Sequence, residues 1–372
     1  MRLHLLGIPH TVTHPAWTHC AFTQKVVKFA RMMRPFGYHV THYGVEGSIT
    51  GADEDVQLMT QDEHQDLLGH PYRHDTRQYG DDAVDQSAVY RQWNLYAREA
   101  LRDRLQPGDL ILCPFGHAHA AAIRGLEALT SGAVGAIESG IGYYDTMLPW
   151  RIYESYAARH AAMGKEGRHG VSLESSRLEF VVPNYYDLAD WPFQPNPTPD
   201  GPVVFLGRWT KGKGLDIVRQ MAEARPDVPF WLAGQGDRAA LEGWPSNVVD
   251  LGVLGAERAA VLGQARAIVA PSRYVEPFAG AVVEAQLVGT PAITSDFGAF
   301  AETVAHGISG FRCNTLSQFV AAIDRVAGLD RRHIRRRAEK LWALPRVGRL
   351  YHEAFQVVGE RIAAKAFPAS GW

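Results

Sequence analysis

Residues 271 to 298 read PSRYVEPFAGAVVEAQLVGTPAITSDFG, and the order of elements in this stretch decides the fold. A strand end at Pro271-Ser272 runs into a loop carrying Glu276, and a helix carrying Glu284 follows. After it come the turn Gly289-Thr290-Pro291 and a second short strand, Ala292-Ile293-Thr294. Strand, loop and helix in that succession build an open parallel sheet, whose ligands sit beyond the carboxyl ends of the strands. Spacing alone carries little: the nineteen Glu form three pairs eight residues apart, Glu46/Glu54, Glu166/Glu174 and Glu276/Glu284. Only the third pair stands where strand, loop and helix aim both carboxylates into one cleft.

With 372 residues, the chain exceeds one ordinary core and suits two domains. Hydrophobic residues make up 46% and charged ones 21%, as in globular proteins. A formal net charge of -2 argues against a nucleic-acid partner, although it leaves open a modified base as acceptor. Cys20, Cys113 and Cys313 are too widely spaced for a disulfide ladder or a zinc site. The start, MRLHLLGIPH, lacks the longer apolar core and the cleavage site of a signal peptide. No apolar run approaches the roughly 18 residues of a membrane span. A cytoplasmic protein is the expectation.

Outward from the opening stretch, the second half alternates strands and helices. Val203 to Leu206 is a buried strand that enters Gly207-Arg-Trp-Thr-Lys-Gly-Lys213-Gly214. This nearly spells the phosphate loop of nucleotide hydrolases, but Gly214 stands where a hydroxyl would meet magnesium. Arg208 and Lys213 remain able to neutralise a diphosphate, the first by its fork and the second as a point charge. A helix (215–224) and a strand (229–233) lead to Gly234-Gln-Gly236-Asp-Arg-Ala239. That pattern fits a dinucleotide fingerprint but follows the wrong strand for one, so it reads as a tight turn. Further strands are expected at 248–251 and 267–270, with a helix at 255–264 between them. Arg331 to Arg337 is a basic run read as a solvated helix face, and 342–364 as a long final helix packing back across the first domain.

The first half alternates in the same way: strands at 3–8, 38–43, 109–113, 133–137 and near 180–184, helices at 22–34, 86–105 and 151–163. Thr23 and Lys25, at the first helix start, are candidates to touch an anion or acceptor. Residues 47–90 read as an irregular acidic surface region. Its Asp53-Glu54-Asp55 and its His64, His70 and His74 read as solvated groups rather than metal ligands. The strand ending at Cys113 runs into Gly116-His117-Ala-His119, where an imidazole would face a ligand. Glu138 and Tyr143 flank another glycine-rich loop and are further acceptor-side candidates. The Pro-rich stretch 191–202 reads as a linker between a first domain (1–190) and a second (203–340), with 341–372 returning. The expected architecture is α/β: two Rossmann-like domains whose parallel sheets face a central cleft.

Taken together, the second-half motifs resemble the retaining family-4-type glycosyltransferases of GT-B fold. The motifs are Phe-Leu-Gly207-Arg208-x4-Lys213-Gly, Leu-Ala-Gly234-x-Gly, and Pro-Ser-x3-Glu276-Pro-Phe-x5-Glu284-Ala-x3-Gly-Thr-Pro. Ser295-Asp-x-Gly298, Glu302 and Gly307-x2-Gly310-Phe complete them, and Val182-Pro-Asn184-x2-Asp187 is similar to the family's inter-domain turn. The resemblance implies transfer of a hexose-like sugar from a nucleotide sugar, UDP rather than GDP, to an unidentified acceptor, with no metal or other cofactor. It implies that Arg208 and Lys213 hold the donor diphosphate, with backbone of Gly7, Gly207 and Gly234 near the donor. Glu276 would read sugar hydroxyls, and Phe278, Ala279 and Gly280 would bring backbone amides to phosphate. Glu284 would bind the ribose, and His119, or else His117, would serve from the first domain. Departures are Gly7 followed by a long Pro/His/Thr loop, Phe278-Ala279-Gly280 for Phe-Gly-x, and Asn184-Tyr-Tyr for Asn-Gly-Val. An epimerase or hydrolase of the same fold and a non-catalytic nucleotide-sugar binder stay open.

Overall fold

A computed structural model describes residues 1–17, 20–69, 87–126, 133–171, 176–195, 198 and 200–365. The first sheet has seven parallel strands in the order β3-β2-β1-β4-β5-β6-β7. These are β1 (Arg2–Leu6), β2 (His39–Val45), β3 (Glu54–Met59), β4 (Leu110–Cys113), β5 (Gly135–Ile141), β6 (Trp150–Tyr153) and β7 (Leu178–Val181). The second sheet has six parallel strands in the order β10-β9-β8-β11-β12-β13. They are β8 (Val203–Leu206), β9 (Phe230–Ala233), β10 (Val248–Asp250), β11 (Ala267–Ala270), β12 (Ala292–Ser295) and β13 (Gly310–Cys313). Strand order reverses between β1 and β4 in one sheet and between β8 and β11 in the other, which opens a crevice at the carboxyl ends of those strands.

Helices cover both faces of each sheet, so strands such as Leu110-Ile-Leu-Cys113 are apolar throughout and buried throughout. Tyr185 packs into the first core, beside Phe29 and Tyr351, whereas Tyr186 packs into the second, beside Trp191 and Trp342. The chain therefore changes domain between two consecutive residues, ahead of the Pro-rich stretch. Trp191 is already buried in the second core, and Gln194 N–H reaches the Val288 carbonyl. The return crossing runs alongside: Tyr186 N–H donates to Trp342 O at 2.9 Å and Leu344 N–H to Tyr186 O at 3.0 Å. The final helix, Leu344–Ala363, then places Val347, Tyr351, Phe355, Val358 and Ile362 in the first core.

Three expectations need correction. The helix expected over 151–163 is strand β6 followed by the helix Tyr156–Lys165, whose N-terminus Ser155 caps by accepting from Ala158 N–H. Trp-Arg-Ile-Tyr is aromatic and β-branched, and Arg151 is buried there because Glu166 and Glu179 pair with it at 2.6 and 3.3 Å. The region 47–90 is partly regular: β3 adds to the sheet edge, and Thr60 caps the helix Gln61–Leu68. Asp53 accepts from Val40 N–H and Asp55 pairs with His42, so the Asp-x-Asp motif ties β2 to β3. His70 and His74 lie outside the described residues.

The basic run is the third. Within the helix Arg331–Trp342, Arg331 is only 8% exposed, and its guanidinium donates to the carbonyls of Gln194, Ala265 and Gly263 and to Thr290 Oγ1. Arg335 donates to the Trp191 and Leu287 carbonyls, and Arg337 to Gln286 Oε1 and Thr303 O. Three of the arginines are therefore anchors. Among the described residues no helix is long and apolar enough to cross a membrane.

Candidate active site at the switch points

The residues singled out in the second half converge because β8 and β11 are neighbours in space though more than sixty residues apart in sequence. The loop after β8 carries Arg208 and Lys213; the loop after β11 carries Ser272 and Glu276. Lys213 Nζ meets Glu276 Oε1 at 2.5 Å, and Ser272 Oγ donates to the same oxygen at 2.6 Å. Lys213 also lies 5.0 Å from the Tyr274 ring centroid. Arg208 is exposed and pairs with no carboxylate among the described residues, so a charged head is left facing solvent at the crevice. Glu284 sits on the helix Gly280–Leu287 and pairs with Arg258 at 3.1 Å.

The second half of the opening stretch supports the first half from below. Glu276 O accepts from Ala299 N–H at 3.0 Å, and Ser295 Oγ donates to Ser272 O at 2.8 Å. Gly298 has φ +61°, and a Cβ there would lie 2.8 Å from Glu276 N, so the loop can close under Glu276 only with glycine. Gly234, in the loop after β9, is confined in the same way: its φ is +140°, and a Cβ there would collide with the Gly207 carbonyl. Gly7 N–H donates to Tyr43 O at 2.8 Å and sits buried beside β2.

Phe278 is buried, Ala279 is the N-cap of the helix Gly280–Leu287, and Val282 N–H donates back to Ala279 O at 3.1 Å; a helix start of this kind suits an anion. Ala279 adopts φ +69°, the left-handed region that an L-residue enters at about 1–2 kcal/mol. Ala279→Gly removes that strain and restores only some of it as unfolded-chain entropy. Denaturant titration should show a gain of up to about 1 kcal/mol, and a loss of stability would refute the strain.

On the facing domain, the loops after β1 and β4 flank the corresponding switch point. His117 is exposed there, whereas His119 is 0% exposed, lies against Trp93, and has neither ring nitrogen hydrogen-bonded among the described residues. Burial pushes the His119 imidazole down to about 3. Its ordinary value near 6.5 returns on unfolding, so the unfolded chain takes up a proton that the folded chain refuses. Stability at this residue is complete above about pH 6.5 and is lost as pH falls toward 3, by at most about 1.4 kcal/mol per pH unit. His119→Phe should therefore flatten the decline in unfolding free energy between pH 6 and 4; an unchanged slope would contradict the neutral buried ring.

The remaining acceptor-side candidates are structurally committed. Thr23 is buried and shares a 2.7 Å hydrogen bond with Thr11. Lys25 is bound to Glu154 and to the Gly140 carbonyl, so its charge is already answered. Glu138 is buried and accepts from Tyr143 OH at 2.8 Å, Met147 N–H at 2.7 Å and Leu148 N–H at 2.6 Å, pinning the loop 142–148. Arg258 and Tyr144 carry no spacing signal, and Ser272 stands in the Pro-Ser-x3-Glu276 motif without an assigned role. Only the proximity of strands reveals them.

Residues 201–328 match the family described as glycosyl transferases group 1. The glycogen synthase of Mycobacterium tuberculosis is 33% identical over 147 residues, which cover 36% of this chain and 35% of that protein. The chain thus spans about a third of the length of the curated relatives it matches. AviGT4, a glycosyltransferase involved in avilamycin A biosynthesis, superposes with a TM-score of 0.68 at 19% identity, over 97% of this chain and 98% of that one. Anabaena HepE in complex with UDP-glucose superposes with a TM-score of 0.63 at 15% identity, over 96% and 100%. This is a GT-B glycosyltransferase fold. In GT-B terms, β8 to β13 form the domain that carries the group 1 match, and the switch-point residues Lys213 and Glu276 both lie inside it.

Proposed function

We propose that this GT-B chain transfers a hexose-like sugar from UDP to an acceptor hydroxyl or amine with retention at the anomeric carbon. The observation that carries the reading is the meeting of Lys213, Glu276 and Ser272 beside exposed Arg208 at one switch point. The C1–O bond to the diphosphate breaks with its electrons leaving on the phosphate. The acceptor atom bonds to C1 from the same face, and its proton passes to a phosphate oxygen. Arg208 and Lys213 supply the positive charge that the departing diphosphate requires, so no metal is invoked. The first-turn amides of the helix Gly280–Leu287 face phosphate, Glu276 reads sugar hydroxyls, and Glu284 reads the ribose. His117, the exposed imidazole of the pair, serves from the first domain, and His119 is buried against Trp93. That HepE holds UDP-glucose in the same fold supports the choice of nucleotide.

Thermal shift against UDP, GDP, ADP and TDP tests the donor. At a hundred times its Kd a ligand adds about 2.7 kcal/mol, a clear rise in Tm, and UDP should give the largest. Mass spectrometry of UDP-sugar incubations with and without acceptors then separates transfer from epimerisation or hydrolysis. No shift with any nucleotide would sink the assignment.

A further inference from the structure

The loop that carries Glu276 is held from both domains. Three successive carbonyls are engaged: Val275 O accepts from Tyr144 OH, Glu276 O from Ala299 N–H at 3.0 Å, and Pro277 O from Ser155 Oγ at 2.5 Å. The middle partner belongs to the second domain and the outer two to the first. The side chains that hydrogen-bond the Glu276 carboxylate among the described residues, Lys213, Ser272 and Tyr274, are on the second domain as well. Among the described residues, the first domain's hydrogen bonds to this loop go to the peptide planes on either side of the carboxylate.

Both first-domain donors are themselves well anchored. Tyr144 projects from the loop 142–148, which buried Glu138 pins through Tyr143 OH and two backbone N–H groups. Ser155 follows β6 and caps the helix Tyr156–Lys165. At the same helix start, Tyr156 N–H and Ala157 N–H donate to the Glu302 carboxylate at 3.0 and 2.8 Å. An anion at a helix N-terminus is a favourable contact, and Glu302 lies three residues beyond Ala299, the partner of Glu276 O. The two domains therefore dock on one continuous segment around residues 275–302.

We propose that Tyr144 and Ser155 are positioning residues for Glu276: they grip the carbonyls before and after it, so that its carboxylate is aligned for the donor only when the domains are closed. This rests on the donor reading of Glu276 given above. Nucleotide binding uses second-domain groups and proceeds without the brace, whereas turnover requires it. Catalytic geometry is then built by closure, which commits donor hydrolysis or transfer to the closed form.

The test uses UDP and UDP-glucose with Tyr144→Phe, which deletes one hydroxyl from a half-buried ring. It also uses Ser155→Gly, because glycine is nearly as good as serine at a helix cap. Each variant should lower kcat for UDP release about tenfold and leave the calorimetric Kd for UDP and the KM for UDP-glucose within about twofold. Hydrogen exchange of the peptide 271–280 should accelerate in both. Wild-type kcat and exchange, or a Kd for UDP weakened as much as kcat falls, would overturn the brace. Glu276→Ala run alongside distinguishes the two levels. If it retains full UDP release, the donor reading fails and the positioning role with it, whatever the exchange data show for the loop.

Discussion

Lys213→Ala is expected to reduce UDP release from a UDP-sugar by about a hundredfold to a thousandfold, the usual effect of deleting one preorganised group that meets developing charge. Lys213 ends the turn after β8, and its ammonium lies 2.5 Å from Glu276 Oε1. Removing it deletes a point charge proposed to meet the departing diphosphate and leaves Ser272 Oγ donating to that Glu276 oxygen. Glu276→Ala should cost a similar factor, because the same carboxylate orients Lys213 and is proposed to read the sugar. The double variant should lose far less than the product of the two factors, since the groups act as a unit. Steady-state release of UDP measures all three. Single variants within twofold of the parent would remove both residues from the reaction.

The largest expected effect on stability is remote from that chemistry. Arg331→Leu should lower unfolding free energy by about 3 kcal/mol, because three carbonyls and the Thr290 hydroxyl lose a buried donor together. Those acceptors lie on the segment after the domain crossing (Gln194), before β11 (Gly263, Ala265) and before β12 (Thr290), so one guanidinium joins three strands of chain. Arg331→Lys keeps the charge without the planar fork and should fall between the parent and the leucine variant. Chemical denaturation followed by intrinsic fluorescence reads the difference. An Arg331→Leu protein with unaltered midpoint would return the residue to the solvated face that its sequence suggests.

Legibility followed the range of the forces involved. The strands of both sheets other than β3 and β6 were readable because they are short apolar runs punctuated by glycine and proline, as at Val203 to Gly207 and Ala267 to Ser272. β6 was not readable, since Trp150-Arg-Ile-Tyr153 runs without a break into a helix and its buried Arg151 imitates a polar face. The arginines at 331, 335 and 337 misled for the same reason: charge in a sequence says nothing about whether carbonyls wait for it. His117 and His119 are equivalent as letters and opposite in burial.

The stretch from Pro271 to Gly298 shows where the division lies. Alone it determined a strand, a loop with a carboxylate, a helix and a returning strand, because hydrophobic periodicity and turn residues act within a few residues of chain. That a carboxylate stands beside a helix start was legible there too. Only the tertiary structure decided what that carboxylate meets. Parallel pairing of β8 with β11 brings Lys213 to Glu276, the glycine at 298 lets the next loop close beneath it, and Tyr144 and Ser155 reach its neighbours from the other domain. Those neighbours are chosen by strand order and domain closure, which depend on the burial of the whole chain rather than on any local run of residues.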